Sequence, residues 1–334
     1  MSKKKFDIGV KSVKYEKSDG LSQSTLEFKI FGKDVNVKMV NAIRRVAMKN
    51  LPAYGFPSEL ITINANTCTA FHNDYMRGRL SRLPVPKIDP KIFFLAEKYW
   101  YKVNYADNTR EKHPNEQSIE AYLNYYNDTD EIVSVTTNHL TTYVEGEETP
   151  NLYNPKYPIV LIELNPKEKF QCHMKATLGV AENKSSWIGV RNIYYDELED
   201  EKDTYLMTVE GNWQYTEQEA IIRSCQFIIY RLNEFKKDFQ EKIDKKEILP
   251  EKNIHLYLEK ESHTFGELLN YEFQSNKDEI ASSGITQPDR LVKTILIKIE
   301  SKDDSSPFKA MLKCVDVLIS KFEYMEKVFE KAFK

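Results

Sequence analysis

The chain has 334 residues, 41% apolar and 30% charged, and 48 basic against 51 acidic side chains leave a formal charge of −3. At roughly 150 residues per domain this length allows two or three compact units, and the composition excludes collagen-like, low-complexity, wholly disordered and disulfide-scaffold chains. Interleaved charge signs also argue against a protein whose main task is gripping nucleic acid, because neutralising phosphates needs a basic surface. Cys68, Cys172, Cys225 and Cys314 lie far apart with no CxxC pair, so the sequence writes neither a disulfide framework nor a zinc ribbon. A reducing compartment fits best. The positive start Lys3-Lys4-Lys5 is followed by no apolar h-region, and no apolar run long enough to span a membrane occurs. A soluble intracellular protein without a membrane partner is expected.

In chain order, Thr25–Phe31 alternates Leu26, Phe28 and Ile30 with polar residues, which predicts a half-buried strand ending at Gly32. Asp34 then offers an N-cap for a helix that carries Val37, Val40, Ile43 and Ala47 on one face and stops before Pro52. From about 50 to 203 the texture changes to short extended runs rich in Tyr, Asn and Pro. Strands are predicted at 58–63, 158–164 and 170–176, with a loop-rich excursion over 97–130 that holds one short helix near Glu120. This stretch reads as an inserted, mostly β lobe.

Helical grammar returns after a strand at 204–210. Thr216 and Glu219 form a capping box, and Ile221, Cys225, Ile228, Leu232, Phe235 and Phe239 lay one apolar stripe along a long helix. A charged, anchor-poor segment over 240–252 reads as a linker. The same order of elements then repeats: a strand at 253–258, a short helix from Ser262, a strand at 291–299, and a closing helix. Ser306 would cap that last helix with Pro307 at its first position, and Phe308, Met311, Val315, Leu318, Phe322, Met325 and Phe329 stripe it. Neither unit buries its long stripe alone, so the simplest packing sets each unit's helix against the other's as an internal pseudo-twofold dimer.

Adjacent Arg44 and Arg45 point about 100° apart on a helix and spread charge over a wide arc, which on spacing alone describes an exposed basic rim. The longer context says more. Asn41-Ala-Ile-Arg44-Arg45-Val, then Leu51-Pro52, Ile61–Thr67, and Arg77-Gly-Arg79-Leu-Ser-Arg82-Leu83-Pro84-Val85 resemble the N-terminal signature of the alpha-like subunits of multisubunit RNA polymerases. That family comprises bacterial alpha, its archaeal counterpart and the third-largest eukaryotic subunit. Pro158–Leu164 followed by Gly179 and Trp187 resembles the family's glycine-containing loop, without the usual His-Ala-Lys run before the Trp, and 205–213 with the helix from Thr216 resembles its second dimerisation block. Independently, Glu261-Ser-His263-Thr264-Phe265-Gly266-Glu-Leu268-Leu269 and Ser283-Gly284–Pro288 resemble the smaller partner of that family, the eleventh subunit of eukaryotic polymerase II and its archaeal counterpart.

The resemblance implies an α+β fold: two pseudo-symmetric strand–helix dimerisation units packed through long helices, with a mainly β lobe inserted in the first. The expected boundaries are 1–49 with 204–239 for the first unit, 50–203 for the lobe, 240–252 for the linker and 253–334 for the second unit. It further implies a noncatalytic assembly subunit, a fusion of two usually separate chains, serving as the platform for the two largest, catalytic subunits and meeting small polymerase subunits in a hetero-oligomer. DNA and RNA would be met only through the complex. Asn41, Arg44 and Arg45, followed by Arg77, Arg79 and Arg82, are the candidate subunit contacts, since guanidinium groups suit bidentate pairing with carboxylates. The candidate internal interface is Ile221, Cys225, Ile228, Leu232, Phe235, Phe265, Leu268, Leu269, Met311, Val315, Leu318 and Phe322. Fused halves resemble large cytoplasmic DNA viruses, which implies a virion-packaged polymerase acting in host cytoplasm.

No catalytic residue, cofactor or metal is expected. Cys68 with His72 and Cys172 with His173 could be drawn as a Cys2His2 site, but adjacent residues of a strand point to opposite faces. His263 lacks a nucleophile or base placed by motif, and Asp303-Asp304 sits where acidic residues favour a helix N-terminus rather than in a tight metal-binding run. A free-standing nucleic-acid-binding protein, using the tyrosines of 99–126, is the alternative reading.

Overall fold

The computed structural model describes residues 6–17, 24–107, 109–150, 152–249, 251–259, 261–289, 291–303 and 306–333. Lys3–Lys5 and Asp304, singled out above, and position 250 of the expected linker lie outside the described residues.

The first unit opens with strands β1 (Gly9–Glu16) and β2 (Thr25–Phe31) and helix α1 (Val37–Lys49). Leu26, Phe28 and Ile30 are fully buried, as their alternation requires. Asn36, not Asp34, caps α1: its side-chain oxygen accepts the Lys38 and Met39 amides, whereas Asp34 accepts the amide of Asp7 and fixes the entering chain.

The lobe follows, with β3 (Pro52–Gly55), β4 (Ile61–Asn66), α2 (Asn73–Leu80), β5 (Ile119–Tyr126), β6 (Val133–Thr136), β7 (Leu140–Val144), β8 (Glu147–Glu148), β9 (Val160–Leu164) and β10 (Lys169–Val180). β10 is its spine, pairing antiparallel with β3, β4 and β5, while β7 and β8 extend the sheet and β6 pairs with β9. Two expectations are corrected here. Residues around Glu120 form strand β5, not a helix, because Ile119, Ala121 and Leu123 bury every second side chain against the lobe core. Ser58–Leu60 is a short 3-10 turn, so the strand expected from 58 starts at Ile61.

The chain returns through β11 (Val190–Glu197), β12 (Thr204–Gly211) and α3 (Glu217–Asp244). β11 pairs with β12, which pairs with β2, so the first sheet runs β1-β2-β12-β11. The boundary expected at 203 is therefore late: β11 stands in the sheet of the first unit, its alternation weakened by an outer face of charges and tyrosines. The capping box forms as expected, with Thr216 and Glu219 satisfying each other's amides. α3 runs on to Asp244, so Gln240–Asp244 are helix rather than linker, anchored by Phe239 and Ile243.

The second unit comprises β13 (Asn253–Glu259), α4 (His263–Ser275), β14 (Ile280–Thr286), β15 (Thr294–Ser301) and α5 (Phe308–Ala332). The strand expected from 291 starts at Thr294, and β14 was not anticipated because its outer positions are serines and glycine. Pro307 occupies the cap of α5, one residue later than expected, and Ser306 accepts the Phe308 amide.

The sheet order β13-β15-β14 reproduces β2-β12-β11, with α4 in the place of α1 and α5 in the place of α3. The stripes agree residue by residue. Ile221 answers to Met311, Cys225 to Val315, Ile228 to Leu318, Leu232 to Phe322, Phe235 to Met325 and Phe239 to Phe329. α3 and α5 run antiparallel, since Gln226 bonds Glu326, Lys236 pairs with Asp316, and Phe239 meets Phe308 edge-on at 5.7 Å. Each long helix ends over the other unit: Phe329 and Phe333 pack on Phe28 of β2, and Phe235 packs on Phe265 of α4. Both units share one hydrophobic core, and a second, separate core fills the lobe.

Candidate subunit interface

Helix α1 buries Met39, Val40, Ala42, Ile43, Val46 and Ala47 against the shared core, which turns Asn41, Arg44 and Arg45 toward the other arc, each half-buried. The Asn41 side-chain oxygen accepts from Arg44 Nε at 3.1 Å and Nη2 at 2.9 Å. That fork fixes the guanidinium before any partner arrives and leaves its remaining N–H groups unbonded among the described residues. Arg45 has no side-chain partner among them. A half-buried guanidinium without a carboxylate has lost part of its hydration without compensation, and an incoming carboxylate or carbonyl would supply it.

The second arginine set is used differently. Arg77 pairs with Asp74 at 2.8 Å and reaches the Ile61 carbonyl, and Arg79 donates to the Val160 carbonyl at 3.1 Å, so both pin α2 to the strands of the lobe. Arg82 is exposed and has no side-chain partner among the described residues. No hydrogen bond or ion pair among them joins this set to Asn41, Arg44 or Arg45.

Ile221, Cys225, Ile228, Leu232, Leu268, Leu269, Met311, Val315, Leu318 and Phe322 are buried in the shared core, with Phe235 and Phe265 packed at its margin. Full burial of such side chains contributes about 1.5–3 kcal/mol each. Burial pushes the Cys225 thiol well above its ordinary range, consistent with a small core residue. Gly266, the glycine of the His-Thr-Phe-Gly motif, lies so close to β14 and β15 that a Cβ would stand 2.5 Å from Ile285 Cδ1 and 2.8 Å from Ile295 Cγ2. His263 is merely the exposed first residue of α4, 3.7 Å from Glu267.

Several anchoring contacts escaped the sequence reading. Lys321 and Glu272 form a buried pair at 2.9 and 3.1 Å between α5 and α4. Arg223 of α3 holds Asp89 of the lobe through two bonds of 2.6 and 2.7 Å, with its guanidinium 5.0 Å from the centre of the Tyr215 ring. Burial by itself would raise the Asp89 carboxyl, but the Arg223 bonds and the Lys91 amide hold it below its ordinary range. The Phe94 and Tyr230 ring centres lie 4.4 Å apart, so the chain just ahead of the excursion is held against α3. Glu182, after β10, takes bonds from Asn50 at 2.8 Å and Lys293 at 2.6 Å, joining the end of α1, the lobe and the second unit. Charged side chains distant in sequence carry no periodic pattern that would have disclosed these pairs.

Within the lobe, Gly179 and Trp187 explain their shared motif. The indole, fully buried, rests on Gly179, where a Cβ would stand 2.5 Å from the ring, and Trp187 Nε1 donates to the Thr177 carbonyl at 2.9 Å. Cys172 points into the lobe core, while His173 lies on the other face of β10, stacked on Tyr122 at 4.2 Å and bonded to Glu120. His72 caps α2, and Cys68 lies beside the Glu163 carbonyl. Among the described residues no group of three His, Cys, Asp or Glu side chains is placed to hold a metal ion. No helix among them is long and apolar enough to cross a membrane.

Two units that repeat the same three-strand, two-helix order and share one core define an internally dimeric fold, and the second unit matches the RNA polymerase Rpb3/Rpb11 dimerisation domain over residues 253–328. Beyond that domain, the chain is similar to a protein of Acanthamoeba polyphaga mimivirus named as a putative DNA-directed RNA polymerase subunit. The two are 26% identical over 328 residues, which cover 92% of this chain and 90% of that protein.

Proposed function

We propose that the chain is a noncatalytic assembly subunit of a DNA-directed RNA polymerase, an intramolecular alpha-like dimer on which the two largest subunits are built. The observation that carries this reading is the pairing of the matched dimerisation domain with a first unit of the same strand and helix order, through α3 and α5, in one core. A separate pair of subunits must find each other at cellular concentration; here the connection after α3 makes that encounter intramolecular. Asn41, Arg44 and Arg45 contact a largest subunit, and Arg82 adds a weaker contact from the lobe. Small polymerase subunits complete the hetero-oligomer. The chain itself supplies no active site, and nucleic acid is met through its partners. The length-spanning similarity to a mimivirus protein supports a viral origin and, with it, action in the virion and host cytoplasm.

Affinity-tagged chain, expressed with the rest of its polymerase, should bring down both largest subunits, and Arg44→Ala with Arg45→Ala should reduce their recovery. Recovery of the chain alone, or unchanged recovery with the double variant, would count against the assembly role and the arginine contact respectively.

A further inference from the structure

The pseudo-twofold makes one position of the fold occupied in the first unit and open in the second. In the first sheet β1 lies antiparallel along β2 and covers its edge, whereas β13, the counterpart of β2, is the outermost strand of its own sheet. Among the described residues, the backbone of β13 pairs only with β15. An uncovered edge presents a row of unpaired N–H and C=O groups, and proteins commonly blunt such edges with bulges, proline or short length.

Three of the four edge strands in the two unit sheets are blunted in this way. β1 is bulged between Ser12 and Lys14, β11 between Val190 and Asn192, and β14 between Ile280 and Ser282. β13 is not: seven residues pair with β15 in unbroken register, without proline, with Ile254, Leu256 and Leu258 turned to the core. On its other face Tyr257 is 53% exposed beside His255. Charge narrows the choice of occupant. Glu251, two residues ahead of the strand, and Glu259, its last residue, are exposed and enter no ion pair among the described residues. β1, which fills the equivalent place on β2, carries Lys11 and Lys14, the latter paired with Glu16 at the end of the same strand.

We propose that the free edge of β13 accepts an extended basic segment of another polymerase subunit as an added antiparallel strand, taking the place that β1 takes on β2. This rests on the assembly role proposed above. Main-chain bonds to the edge would supply affinity, and basic side chains meeting Glu251 and Glu259 would set the orientation.

The test compares hydrogen exchange of the purified polymerase with that of the isolated chain. In the assembly, alternate amides of Asn253–Glu259 should exchange at least about tenfold more slowly. A photoreactive phenylalanine in place of Tyr257 should cross-link to one segment of one other subunit. Glu251→Lys with Glu259→Lys, both at exposed positions, should reverse part of the protection while leaving the melting temperature unchanged. Unchanged exchange in a chain that still co-purifies with both largest subunits would overturn this inference and leave the assembly role standing. Protection that appears in the isolated chain and grows with its concentration would also overturn it, since the occupant would then be a second copy. Failure to co-purify would remove the assembly role, and this inference with it.

Discussion

The two units of the dimer share the order of three strands, helix order and stripe spacing, yet they differ in β1, which the second unit lacks, at one connection and at one helix face. Between α1 and β11 the first unit carries the whole lobe, where the second crosses from α4 to β14 in a short turn. A connection at the surface of a packed unit tolerates a large insertion because the insertion brings its own core and loop closure costs little more with length. On the helix face the arginines of α1 have Asn270 and Tyr271 as their counterparts on α4, counted from the caps Asn36 and Ser262. The duplicated architecture thus places two half-buried arginines on α1 where α4 has a buried asparagine, which accepts from Ser283, and an exposed tyrosine.

The largest expected effect tests the second unit. Lys321→Met would strand the Glu272 carboxylate in the core and should cost about 3–5 kcal/mol in urea denaturation, while adding Glu272→Leu should recover most of that loss. On the first unit, Arg44→Ala with Arg45→Ala should weaken capture of a largest subunit by at least about tenfold, with little change in melting temperature. If the same truncation also lowers the melting temperature by several degrees, α1 depends on these side chains for its own packing and the contrast between the two helix faces loses its meaning.

A smaller effect separates the lobe from the dimer. Gly179→Ala should push the Trp187 ring from its seat and cost about 1–3 kcal/mol, visible as a red shift of tryptophan emission, while α3 and α5 remain paired. Smallest is an acid effect in the lobe. Glu168 is buried, which by itself raises its carboxyl, but the amides of Thr69 and Asn165 and the Thr69 hydroxyl bring it down to about 2. Because the folded value is the lower one, its contribution is present in full above the unfolded value of about 4.5 and is lost as pH falls toward 2. The stability gap between the wild-type chain and Glu168→Gln should therefore close over that interval. A gap that stays constant through it would show that the loop bonds survive protonation.

Much of the dimer was legible in the residues. The Thr216 box, the two stripes and the alternation of 25–31 and 253–258 each follow from a local period, and local periods are set by backbone geometry. The lobe was less legible. Around Glu120, Ile119, Ala121 and Leu123 satisfy a strand period among tyrosines that obscure it, and only pairing with β10 and β7 decides the matter. The candidate contact arginines were found through a resemblance, since their spacing alone describes any basic rim.

The amino-acid sequence by itself determined the two stripes, the repeated order of elements and the motif glycines, because helix and strand periods and close backbone approach act within short reach along the chain. Only the tertiary structure decided that β11 completes the first sheet, that Arg223 ties the lobe to α3, that Lys321 meets Glu272, and that β13 is left with an open edge. Those outcomes depend on which distant surfaces meet, and neither an ion pair nor an unpaired strand edge has a period that can be read before the chain has folded.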